Sequence, residues 1–299
     1  MKSKSYSGAL PLHFLVELFV LMRPKQWTKN LLLFAAVIFS IRSVDSLMFL
    51  QTLGAFILFC LVSGCVYILN DYMDREADRN HPEKRFRPLA SGAVNANAAL
   101  AAGTVIALSS FISSFYLDKE FAIVLSLYFL LNIAYSFKLK HVVIFDIMCI
   151  AVGFVLRAIG GGLLIDVKLT PWFLLCILLL SLFLAISKRR YELVMLQGDK
   201  GSHRKVLEHY SADLLNQMNS IVTAATIVCY SLFTFSSGHS EYLTLTIPIV
   251  LYGIFRYLYL IHMHQAGGKP EKILLEDKHI LASVSLYAVI VTIILFYYG

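Results

Sequence analysis

Charge is what this chain has least of. Only 15% of its 299 residues are Asp, Glu, Lys or Arg, against roughly 25% in soluble domains. With 58% hydrophobic residues it has no polar face to turn to water. That excludes a soluble globular enzyme, a disordered tail and a nucleic-acid-binding module. Cysteine is sparse as well. Cys60, Cys65, Cys149, Cys176 and Cys229 all fall in apolar runs, with no C-x-x-C and no Cys/His ligand spacing. They read as small buried hydrophobes, with neither a disulfide framework nor a zinc site. The polar/apolar alternation of a membrane barrel is missing. No small-residue cleavage site follows a signal-length apolar core, so the N-terminus is expected to be retained. No linker interrupts the chain, and residues 1–299 read as a single membrane domain.

What the chain has is apolar length. A hydrocarbon core of about 30 Å takes about 20 helical residues to cross. Nine runs qualify, near 26–44, 49–69, 93–116, 120–137, 143–165, 171–187, 216–237, 240–260 and 279–298. A shorter run, 12–22, is cut off by Pro24 and suits an interfacial helix or the lower half of a kinked first span. The expected fold is all-α and polytopic. With the N-terminus inside, 21 of the 26 Lys/Arg fall in inward segments. The positive-inside rule therefore accounts for the net charge of +7 without nucleic acid, and nine spans leave the C-terminus outside.

The few carboxylates are concentrated. Asn70-Asp71-Tyr72-Met73-Asp74-Arg75-Glu76-Ala77-Asp78 begins where the second span ends. At about 100° per residue, Asp71, Asp74 and Asp78 share one helix face, with Asn70 beside them. Three like charges in a row repel, and a cation should offset them. Magnesium suits this, because it takes one or two carboxylates together with water and phosphate oxygens. The loop that follows, Arg79-Asn80-His81-Pro82-Glu83-Lys84-Arg85-Phe86-Arg87-Pro88, brings positive charge to the same place. An anionic substrate bridged by metal needs both signs together. Arg23-Pro24-Lys25-Gln26-Trp27-Thr28-Lys29-Asn30 and Lys188-Arg189-Arg190 add cations at the inner surface, where membrane anchoring is the plainer reading. In the fifth span Asp146, Gly153 and Arg157 fall within about 20° of one line. Arg157 is roughly mid-span, so it is expected to face a phosphate or a carboxylate. Gly160, Gly161 and Gly162 read as close-packing positions. His81 and His141 read as loop histidines.

The N-D-x-x-D-x-x-x-D stripe resembles the first aspartate-rich motif of the UbiA superfamily of intramembrane prenyltransferases. That resemblance implies about nine transmembrane helices around a central cavity open to the cytoplasm. The superfamily's second motif, D-x-x-x-D, is expected after the fourth span. Here that loop reads Tyr135-Ser136-Phe137-Lys138-Leu139-Lys140-His141, with a lone Asp146 beyond it. The whole set of motifs is similar to the subgroup that transfers 5-phosphoribose to decaprenyl phosphate.

The resemblance implies a magnesium-dependent transfer of 5-phosphoribose from 5-phosphoribosyl diphosphate (PRPP) to a polyprenyl phosphate, in a bacterial plasma membrane. Asp71, Asp74 and Asp78 hold Mg2+, and Asn70 orients a ligand carboxylate or bonds the ribose. Lys140 with Tyr135 holds phosphate oxygens. Arg85, Arg87 and Arg157 are candidates for the 5-phosphate or the lipid phosphate. Lys25, Lys29, Lys84, Lys138, Asp146, Lys188 and Arg189 complete the expected substrate contacts. The partners are the two substrates and membrane lipid, with a homo-oligomer left open. The alternatives are a prenyltransferase acting on an aromatic or quinone-type acceptor, and a transporter using the stripe as an ion site.

Overall fold

The structure, a computed structural model, describes residues 10–80, 84–195, 205–236, 238, 240–264, 267–268 and 270–298. Among the described residues it is helical throughout and contains eight helices long and apolar enough to cross a membrane. The protein is a multi-pass membrane protein. The long helices are α3 (Ser46–Met73), α6 (Ala96–Leu117), α7 (Lys119–Phe137), α8 (Phe145–Leu164), α9 (Pro171–Met195), α10 (Ala212–Ser236), α11 (Ile247–Met263, extended at its start by a 3-10 turn from Glu241) and α13 (Lys278–Tyr298). Shorter helices are α1 (Leu10–Leu21), α2 (Ala35–Phe39), α4 (Arg75–Arg79), α5 (Pro88–Ser91) and α12 (Pro270–Glu276).

The few polar residues between apolar runs set where the helices begin. Asp45 caps α3 by accepting from the Met48 amide at 2.7 Å, and Asp118 caps α7 through the Phe121 amide at 2.7 Å. Asn95 caps α6 through the Asn97 and Ala98 amides. Each side chain satisfies donors that the first turn leaves open. The packed face of α6 is small or polar, carrying Ala99, Gly103, Ala107 and Ser110. Large side chains such as Val105, Ile112, Ile221 and Phe255 stay exposed on the outside, as lipid contact requires.

The expected crossing 26–44 differs from the other eight. It is not one α-helix. α1 stops at Leu21, Arg23 turns into the left-handed region (φ 53°, ψ 64°), and Pro24–Phe34 continues as a 3-10 helix that passes into α2. Pro24 starts the new segment because it cannot continue the old one. A 3-10 helix rises about 2.0 Å per residue, so this segment and α2 together reach roughly 30 Å, about the hydrocarbon thickness. The segment packs against α3 and α8, and Leu33 is fully buried. A Cβ on Gly161 of α8 would run into the Leu33 carbonyl. The expected close-packing role of the Gly160–Gly162 run is met there, and a Cβ on Gly162 would crowd the Val167 carbonyl less severely, at 2.9 Å.

At the far end of the chain, Arg256 on α11 pairs with Asp277 at 2.8 Å, and Asp277 also caps α13 through the Ile280 amide. The hydrogen bond from Arg256 holds the Asp277 carboxyl down to about 2, assisted by that amide.

Two outcomes follow from this packing. Gly161→Ala is expected to destabilise the detergent-solubilised protein by about 1–3 kcal/mol in thermal unfolding, whereas Gly103→Ala, with only the flexible Ile68 side chain nearby, should be mild. A carboxylate depressed in the folded state stabilises above its unfolded value, about 3.9, and that stability is lost as pH falls through the folded one. Asp277→Asn should therefore flatten the pH dependence of unfolding between about 4 and 2.

Candidate functional site

Successive helices run antiparallel, so one end of the bundle collects the end of α3, the 70–95 connection, the α7–α8 turn, the start of α8 and the ends of α9 and α11. The chain's scarce charges meet there. α3 runs to Met73, Asp74 sits at its C-cap (φ −90°, ψ 3°), and α4 resumes at Arg75. The register survives this hitch: the Asp74 amide donates to the Asn70 carbonyl at 2.9 Å and the Asp78 amide to the Asp74 carbonyl at 2.8 Å.

The expected single row of carboxylates resolves into a buried pair and a half-exposed third. Asp71 and Asp78 are 3% and 4% exposed. They share Arg87, whose Nη1 donates to Asp71 Oδ1 at 3.0 Å and to Asp78 Oδ2 at 2.7 Å. Arg23 donates to the same Asp71 oxygen and stacks on the Tyr67 ring, 4.8 Å from its centroid. Asp74, with its side chain 42% exposed, turns to Lys140, whose Nζ donates to it at 2.9 Å. Two dehydrated carboxylates cannot stand side by side without a cation, and arginine supplies it. The left-handed Arg23, a conformation costing about 1–3 kcal/mol in a non-glycine residue, is held by these contacts. Asn70 is partly exposed beside the carboxylates.

Among the described residues no three His, Cys, Asp or Glu side chains converge closely enough to hold a metal unaided. Two carboxylates do converge. One nitrogen of Arg87 lies within 3.0 Å of both, at the position a compact cation would take between them. Magnesium typically takes one or two carboxylates and completes its shell with water and phosphate oxygens. The donor set fits such an ion.

Asp146 and Arg189, expected against substrate, are turned to each other. They are 0% and 2% exposed, and Arg189 Nε donates to Asp146 Oδ2 at 2.7 Å. The Tyr210 hydroxyl donates to the other carboxylate oxygen at 2.7 Å, and Glu192 takes Arg189 Nη1 at 2.6 Å. A carboxylate this dry needs protein donors, and each oxygen of Asp146 has one.

Arg157 forms a third group, and its partners are neutral. Nε donates to Asn30 Oδ1 at 2.7 Å, Nη1 to the Gly153 carbonyl at 2.7 Å and Nη2 to the Tyr128 hydroxyl at 2.9 Å. Its guanidinium also lies over the Tyr128, Phe154 and Phe59 rings, 4.6–5.6 Å from their centroids. Asn30 donates onward to Ser63 and Cys60. Among the described residues its partners are an amide, a carbonyl, a phenol and ring faces, with no carboxylate, and they spread the charge inside the bundle. Helical collinearity of Asp146 with Arg157 therefore does not make them one site.

The remaining expected residues lie at the same end. Lys25, Lys138 and Lys188 are exposed. Arg85 is exposed over the Phe86 ring, 4.8 Å from its centroid. Lys29, Lys84 and Tyr135 are partly exposed, and Tyr135 lies within electrostatic reach of Arg189. His141 is in the 3-10 turn Leu139–His141; His81 lies outside the described residues. Sequence reasoning gave no specific role to Arg23, Asn30, Tyr128, Glu192 or Tyr210. The Arg-Pro dipeptide was a visible signal for Arg23; Tyr210 had none.

The UbiA prenyltransferase family profile matches residues 31–275. A decaprenyl-phosphate phosphoribosyltransferase of Mycolicibacterium smegmatis is 36% identical over 273 residues, covering 86% of this chain and 85% of the relative. Its counterpart in Corynebacterium glutamicum is 34% identical over 289 residues, 91% of this chain and 85% of that one. The solved structure of a UbiA homolog from Archaeoglobus fulgidus bound to GPP and Mg2+ superposes with a TM-score of 0.70 at 16% identity, over 94% of this chain and 98% of that one.

Arg87→Met leaves Asp71 and Asp78 facing each other without their shared cation. The variant is expected to melt at a lower temperature than wild type in EDTA, and to gain more from added Mg2+. Equal gains in both proteins would count against a divalent ion at this pair.

Proposed function

The chain belongs to the UbiA prenyltransferase family, and from that premise we propose that it is an enzyme transferring 5-phosphoribose from PRPP to a polyprenyl phosphate, releasing diphosphate. The observation that carries this reading is the interlacing of both charge signs at one end of an apolar bundle. Asp71, Asp74 and Asp78 meet Arg23, Arg87 and Lys140 there. A lipid phosphate and a water-soluble sugar diphosphate can both reach such a place, one along the bundle wall and the other from the water. The mycobacterial and corynebacterial relatives are named for phosphoribosyl transfer and decaprenyl phosphate, which supports a phosphoribosyl donor and a polyprenyl phosphate acceptor. The Lys/Arg distribution supports placing this end at the cytoplasmic face of the bacterial plasma membrane.

The reaction is a substitution at the anomeric carbon. A lipid phosphate oxygen forms the new C–O bond as the bond to diphosphate breaks. The nucleophile is already an anion near neutral pH, so no strong general base is needed. Catalysis reduces to positioning and charge stabilisation. Asp71 and Asp78, with Asp74 at the rim, would hold a Mg2+ ion, which when bound would supply positive charge to the diphosphate. Arg87 and Arg23, released from the carboxylates, turn to phosphate oxygens. Lys140, on the opposite side of Asp74, holds the leaving group from the α7–α8 turn. Bidentate arginines suit phosphate geometry, and lysine acts as a point charge. Lys25, Lys29, Lys84, Arg85, Lys138 and Lys188 raise the local concentration of anionic substrate around the mouth.

The assay supplies labelled PRPP with polyprenyl phosphate and, separately, prenyl diphosphate with aromatic acids, then extracts the lipid. Label is expected in lipid only in the first arm; incorporation confined to the second would replace this reading with aromatic prenylation. Asp74→Asn and Asp78→Asn should each lose transfer by roughly 100-fold or more while the purified proteins stay folded, as far-UV circular dichroism reports. Wild-type turnover in either variant would refute the metal assignment.

A further inference from the structure

The α7–α8 turn carries Lys140 to Asp74, and its geometry is not self-supporting. Ile144, immediately before α8, has φ 70° and ψ −45°. A β-branched residue at positive φ is a true outlier, close to the rare γ-turn. Such a conformation persists only where its surroundings over-determine it. One side chain does so. The Tyr210 hydroxyl accepts the Ile144 amide at 2.8 Å and donates to Asp146 Oδ1 at 2.7 Å. Tyr210 is buried among Ile147, Val206, Leu207 and Leu215, so its ring is fixed by packing. Asp146 is held from its other oxygen by Arg189 at 2.7 Å. Burial and the Asp146 carboxylate push the Tyr210 hydroxyl well above its ordinary value, so it stays a proton donor at working pH. The turn bearing Lys140 is thus clamped through Ile144 to Tyr210, 66 residues further along the chain and just ahead of α10.

We infer that Tyr210 is a positioning residue for the transfer reaction, acting through the strained Ile144 turn to hold Lys140 over Asp74. Asp146 and Arg189 belong to the same clamp: they orient Tyr210 and touch no substrate. This inference rests on the proposed role of Lys140 at the leaving diphosphate. The clamp gives that lysine a fixed direction in spite of four rotatable side-chain bonds, and the catalytic cation gains from being placed before substrate arrives. Neither Tyr210 nor Ile144 stands near the acidic stripe in sequence, and only the fold brings them to it.

Tyr210→Phe removes one oxygen and keeps the ring. Two measurements decide the matter. In the resting protein, hydrogen exchange across residues 138–144 should accelerate in Tyr210→Phe, a readout independent of any substrate. In turnover with PRPP and polyprenyl phosphate, kcat should fall roughly tenfold or more, with KM for the lipid unchanged. The same substitution made in Lys140→Met should cost little further, because the two residues act as one unit. If Lys140→Met is too slow to assay, the cycle is read on PRPP affinity. A Tyr210→Phe loss of equal size in both backgrounds would assign it to general destabilisation and overturn the inference. So would wild-type exchange in the turn, or wild-type kcat. If the wild-type protein does not consume PRPP at all, the functional reading fails by itself and the exchange experiment still decides whether the clamp exists.

Discussion

Everything at the working end of this molecule depends on one constraint: a charge at the edge of a hydrocarbon layer must have a partner. Asp71 and Asp78 are nearly dehydrated, and Arg87 reaches both with a single nitrogen. Arg23 and Lys140 complete the set from two other parts of the chain. The pairing ties the broken first segment, the end of α3, the following loop and the α7–α8 turn into one assembly. It also leaves that assembly ready to exchange partners. The groups that neutralise each other in the free protein have the charges needed for a divalent cation on one side and phosphates on the other.

The other two polar groups obey the same rule with different results. Asp146 and Arg189 satisfy each other and Tyr210, so their charges are spent on architecture. Arg157 has neutral acceptors and aromatic faces instead of a counter-ion. Its role is to join the 3-10 segment, α7 and α8 inside the bundle. A buried ionisable residue in a membrane protein is often a functional marker. Here the buried charges separate into one cluster that is partly open to water and two that are closed on protein partners. Exposure and partners make the distinction; residue type does not.

The fold was largely legible from hydropathy. Eight of the nine apolar runs became long helices near the expected bounds, because a 20-residue apolar stretch has few other ways to satisfy its backbone in lipid. The remaining run, 26–44, is less apolar, opening Gln-Trp-Thr-Lys-Asn, and has a different backbone. Pro24 was the local signal for the break, and the glycine run was legible as a close-packing surface, but only the fold shows that Leu33 of the 3-10 segment is what packs on Gly161. In the site, the acidic stripe and Arg87 were legible because they are close in sequence. Lys140 was legible only through family resemblance. Arg23 needed the fold to show its partner.

What the sequence by itself determined was the membrane as solvent, the helices and their caps, and a concentration of scarce carboxylates at one helix end. Those properties are local: hydrophobic length, turn chemistry and helical period act within about twenty residues. Tertiary structure decided which charges neutralise which. It sent Arg87 to Asp71 and Asp78, Lys140 to Asp74, Arg189 to Asp146, and Arg157 to no carboxylate among the described residues. Each of those choices depends on which helices become neighbours, and on how little water reaches them. Periodicity along a single helix, which had placed Asp146 and Arg157 on one line, carries no information about the helix facing it.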